Sequence, residues 1–152
     1  MSAGPQGHVT RIPRAPLLLG LAGVLPFGWG ALTELVPALG DWSWATLGPR
    51  VTGRTLLLLY GTVILSFMSG VVWGFATRAE GRHAGWLYAL STLPALWAVA
   101  FGFSTLMLAG GFLALLLLDR HAQASGLAPP WWMRLRILLT VLVVACLLPG
   151  VP

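Results

Sequence analysis

The side chains able to do chemistry are few, and their spacing suits it poorly. The chain of 152 residues has four acids, three histidines and one cysteine. His8, His83 and His121 fall outside the apolar runs, and none shares an apolar face with another ligand-type residue. A membrane haem or metal centre needs at least one histidine inside a span, so no metal and no cofactor is expected. Cys146 has no second cysteine to pair with and no CxxC motif for redox work. It is read as a small apolar core residue. There is no Walker loop, no GxSxG elbow and no cysteine–histidine pair. Gly28-Trp29-Gly30 lacks the strand–turn–helix setting of a phosphate cradle. No catalytic residue is expected, and the chain reads as a non-enzyme.

Two charged groups stand out by position: Asp119 closes one apolar run and Arg136 opens the next. Antiparallel neighbours joined by a single loop could bring them together as a partly desolvated ion pair. The plainer account is two independent charges snorkelling to the interface. Glu34 could be a proton or ion site, but its place near the end of the first run favours an acid in interfacial water. Tyr60, Thr62, Ser66 and Ser69 put hydroxyls inside the second run. They could line a solute path; packing is favoured, since such groups commonly bond a neighbouring helix or their own i−4 carbonyl.

The elements holding these residues are membrane helices. The composition is 57% hydrophobic and 9% charged, with a mean hydropathy of +0.84, against about 25% charged residues in a soluble domain. All nine basic residues are arginine, and the formal net charge is +5. The arginines are scattered between apolar runs and form no basic face, which excludes a nucleic-acid partner. The fold class expected is an all-α bundle of about five transmembrane helices.

Residues 1–16 read as a disordered tail, and 17–152 as one multi-pass domain. The expected spans are 17–36, 55–76, 85–101, 104–118 and 137–151. Arg11 and Arg14 before the first span resemble the start of a signal peptide, but no small-residue cleavage site follows at a sensible distance. Residues 37–53 and 119–136 read as loops, with Trp42, Trp44, Trp131 and Trp132 at the headgroup level. The 34 uncharged residues 85–118 are barely enough for two crossings of about 17 residues. A re-entrant hairpin is the alternative.

The run from Arg54 to Arg78 organises the rest. Its 23 uncharged residues make roughly 34 Å of helix, enough for a hydrocarbon core of about 30 Å. Thr62, Ser66, Gly70 and Gly74 recur at every fourth place and share a helical face. Such a ladder is a candidate groove for another helix backbone, with Leu57 far from it. Sidedness follows from counting. With the N-terminus in the cytoplasm and the C-terminus in the periplasm, seven arginines lie inside and Arg50 and Arg54 outside, as the positive-inside bias requires.

The segment Tyr60 to Gly74 (YGTVILSFMSGVVWG) resembles the Y-x-x-x-I-L-S-F-x-G-G-x-x-W-G signature of the transmembrane protein 69-like family, domain of unknown function 3429. Ser69 stands where a glycine is usual. Further similarity lies at Leu19-Gly20, Pro26-Phe27, Ser91 through Pro94 to Trp97, Trp131-Trp132, Leu135-Arg136 and Leu139-Thr140. The resemblance implies a small multi-pass protein of a bacterial or mitochondrial inner membrane, and it carries no activity. The expectation is an accessory, assembly or scaffolding factor of the bacterial inner membrane. Its partners would be the lipid bilayer and either a second copy or another membrane protein. The alternative is a small transporter or lipid-handling protein using the polar face of the second span.

Overall fold

A computed structural model describes residues 11–151. These form α1 (Arg14–Leu35), α2 (Pro37–Leu47), α3 (Gly53–Ala76), α4 (Gly81–Phe101), α5 (Thr105–Ala124) and α6 (Trp132–Leu147). Short 3-10 turns follow α2 and α6. Five helices are long and apolar enough to cross a membrane: α1, α3, α4, α5, and α6 with its turn. The chain is therefore an all-α, multi-pass membrane protein. α4 and α5 have 21 and 20 residues, about 30 Å each, so the 85–118 stretch divides into two full crossings.

The boundaries differ from those read in the sequence. α1 begins at Arg14, within the expected tail, because Pro16 lies in the first turn, where a proline deletes no helical hydrogen bond; residues 1–10 of that tail lie outside the described chain. The expected loop 37–53 is mostly α2. Pro37 occupies its first position, where the missing N–H is an orphan in any case. α4 and α5 run past the uncharged stretch, so Arg82, His83, Asp119 and Arg120 sit on helices.

α1 and α3 are antiparallel. The Phe27 and Tyr60 rings meet edge to face at 5.0 Å, and the Tyr60 hydroxyl donates to the Gly23 carbonyl at 3.1 Å. Thr33 Oγ1 and Glu34 Oε2 accept the Gly53 and Arg54 N–H groups at 2.8 and 2.7 Å. These are orphan donors of the first turn of α3, and a carboxylate there also complements the helix dipole. Glu34 is thus a cap at an exposed end. Gly53 has φ +50°, and a Cβ on it would lie 2.5 Å from Glu34 Oε2, so both backbone and space demand glycine.

The core holds Phe27, Leu57, Leu65, Leu108, Phe112, Leu115 and Leu147, each no more than 2% exposed. Cys146 packs against this cluster, half-buried. Leucines fit into glycine gaps: Leu57 against Gly30, Leu108 against Gly61, and Leu65 against Gly111. Small residues do let these backbones approach, but they are not the ladder residues.

The buried stripe of α3 is Gly61, Leu65, Met68, Ser69, Val72 and Ala76. It starts one residue from the ladder, a rotation of about 100°. Thr62 and Ser66 are half-buried at its margin, whereas Gly70 and Gly74 are exposed, with nothing within 4 Å of a Cβ at either. The ladder is therefore not a groove for another helix of this chain. Leu57, expected to matter less because it lies far from that groove, is fully buried in the core.

Candidate functional site

Asp119 and Arg136 are inside helices, not in the loop expected between them, and the fold brings them together. Arg136 Nε donates to Asp119 Oδ2 at 2.7 Å, and the side chains are 6% and 0% exposed. Trp132 Nε1 donates to the other carboxylate oxygen at 2.8 Å. Trp132 and Arg136 are four residues apart, so one face of α6 presents both donors. A buried carboxylate is tolerable only when paired and hydrogen-bonded, and here both oxygens are taken.

The surroundings fix the geometry. Gln123, one turn beyond Asp119, donates to the Pro130 carbonyl at 2.9 Å and accepts the Met133 N–H at 3.1 Å. Gly126 ends α5 with φ +71°, and Leu127 N donates back to Ala122 O at 2.9 Å, satisfying an orphan carbonyl of the last turn. Phe75 of α3 meets the Trp132 ring edge to face at 5.1 Å.

The pair leaves donors over. Arg136 uses its inner nitrogen on Asp119, and its buried Nη2 has no hydrogen-bond partner. Thr140, one turn further along the same face, is 1% exposed, and its Oγ1 also has none. Both residues line a cleft of about 390 Å³ between α1, α3 and α6, with Phe112 of α5 at its base. Gly20 and Gly23 of α1, and Phe67 and Val71 of α3, form much of the remaining wall.

The hydroxyls expected on α3 have separate fates. Ser69 donates to the Ser91 carbonyl of α4, one residue from the carbonyl that Pro94 leaves free. Neighbouring hydroxyls often serve such a break inside lipid. Thr62 abuts Gly102 in the α4–α5 turn. Neither Thr62 nor Ser66 lines the cleft. His83 and His121, expected apart, have ring centroids 5.3 Å apart where α4 starts and α5 ends. Among the described residues no three potential metal ligands gather. Trp132 and Thr140 are members of the site that the sequence reading missed; their i, i+4 spacing about Arg136 was the available signal.

No solved structure matches the chain. It is 32% identical to transmembrane protein 69 of Xenopus tropicalis over an alignment of 152 residues, which covers 87% of this chain and 51% of that protein. The chain thus spans about half the length of the curated relative it matches. Residues 12–151, which hold all five candidate spans, match the family described as "Protein of unknown function (DUF3429)", and the chain belongs to that family.

Proposed function

We propose that the protein is a non-enzymatic accessory, assembly or scaffolding factor of the bacterial inner membrane, with its N-terminus in the cytoplasm and its C-terminus in the periplasm. The observation that carries this reading is that Asp119 and four of the hydroxyls inside α3 and α4 are bonded within the bundle. Both oxygens of Asp119 are occupied. The hydroxyls of Tyr60, Ser69, Ser91 and Thr92 all donate to backbone carbonyls. Intramembrane carboxylates that relay protons or ions need an exchangeable partner or water, and these groups are committed. The orientation is supported by the seven arginines at the end of the bundle where α1 and α6 start, against Arg50 and Arg54 at the other.

The test compares native-gel profiles of inner-membrane complexes from cells with and without the protein. The expected result is a lower level of an assembled complex whose subunits are still synthesised. Unaltered complexes, together with solute uptake into proteoliposomes holding the purified protein, would replace this reading with transport along α3.

A further inference from the structure

We propose that the cleft between α1, α3 and α6 is a binding site for one acyl chain of a glycerolipid, whose ester carbonyl oxygen accepts hydrogen bonds from Arg136 Nη2 and Thr140 Oγ1. The inference starts from the two buried polar atoms without partners on neighbouring turns of α6. A buried donor left unsatisfied is costly, more so on a charged group. Both residues line the same cleft and stand four residues apart on one face of α6.

The chemistry of the head follows from charge. Asp119 already neutralises Arg136 at 2.7 Å. A carboxylate or phosphate at Nη2 would lie near a second buried anion, and like charges there repel strongly. A neutral carbonyl meets the same donors and adds no charge.

The tail follows from shape. The α6 side of the cleft runs from Trp132 to Val143, roughly 16 Å of helix, about half of a hydrocarbon core of about 30 Å. The site therefore spans a single leaflet. Leu19 and Phe67 on its rim are 73% and 65% exposed, so the cleft opens sideways, where the bilayer lies. Arg136 is one turn inside the end of the bundle, which puts the acceptor at the level of the lipid esters. The exposed Arg11 and Arg14 stand just beyond the cleft at Pro16, where the phosphate of the same lipid would lie.

The experiment uses the full chain in mild detergent and native mass spectrometry with two probes: diacyl phosphatidylglycerol and its dialkyl ether analogue, which lacks the carbonyls. The expected result is one retained lipid, with the ester form favoured about tenfold, the scale of a hydrogen bond to a charged group. Thr140→Val removes one donor without changing the volume much and should reduce that preference severalfold. Gly23→Leu fills the cleft from a position where a Cβ meets nothing within 4 Å, and should abolish retention of both lipids at an unchanged melting temperature. Equal retention of ester and ether by the unmodified protein would overturn the proposal, since the donors would then be met by water. Full retention by Gly23→Leu would overturn it too, as would oleate displacing the lipid at equal concentration, which would assign the acceptor to a carboxylate.

Discussion

Replacing Asp119 by asparagine removes a charge from a side chain that is 0% exposed. Arg136, 5% exposed, is then a buried cation without a counter-ion. Breaking one side of such a pair costs about 3–5 kcal/mol. Arg136→Gln leaves a buried carboxylate held by Trp132 alone and should cost about the same. The double variant buries two neutral amides of similar size, so no uncompensated charge remains. It should cost no more than either single variant, about 3–5 kcal/mol, giving a coupling of about the same size. That agrees in scale with two unit charges near 4 Å at an effective dielectric of about 20, about 4 kcal/mol. The assay is reversible unfolding in mixed micelles of mild detergent and dodecyl sulfate, followed by tryptophan fluorescence. The coupling should also persist in high salt, because buried pairs are weakly screened. A coupling below about 0.5 kcal/mol, the level at which independent sites add, would refute the argument and reduce the pair to ordinary charges.

A reporter fused after Pro152 should behave as periplasmic, and one inserted at Ser125-Gly126 as cytoplasmic; both on one side would mean that α6 does not cross the membrane. Gly61→Leu and Gly111→Leu should each cost about 1–3 kcal/mol by overpacking, since a Cβ there meets Leu108 at 2.9 Å and Leu65 at 2.7 Å. Gly70→Leu and Gly74→Leu should leave stability unaltered, so a melting temperature lowered as far as by Gly61→Leu would contradict the rotation of α3 described above. Leu57→Ala should cost about 2–5 kcal/mol as a buried large-to-small change, measured in the same micelles; a cost near zero would place that residue outside the core.

The sequence alone determined that the spans are helices and that there are several, because crossing a bilayer demands about 20 apolar residues in a row, a property of composition and length; that residues 85–118 form two crossings was decided by α4 and α5. It also offered Asp119 and Arg136 as a candidate pair, since they flank a single connection between antiparallel helices; the structure chose the pair over two independent charges. Only the tertiary structure decided how each helix is turned about its axis. In lipid, polarity does not mark the inner face, because tails are as apolar as leucine. α3 carries small residues on more than one side, and shape complementarity chose Gly61 and Ser69, not Gly70 and Gly74. The fit of Leu108 into Gly61 and of Ser69 against Ser91 depends on α4 and α5, which α3 does not specify. For the same reason the partnering of Asp119 by Trp132, the meeting of His83 with His121 and the cleft beside Thr140 were invisible in the chain. Each requires knowing which face of one helix meets which face of another.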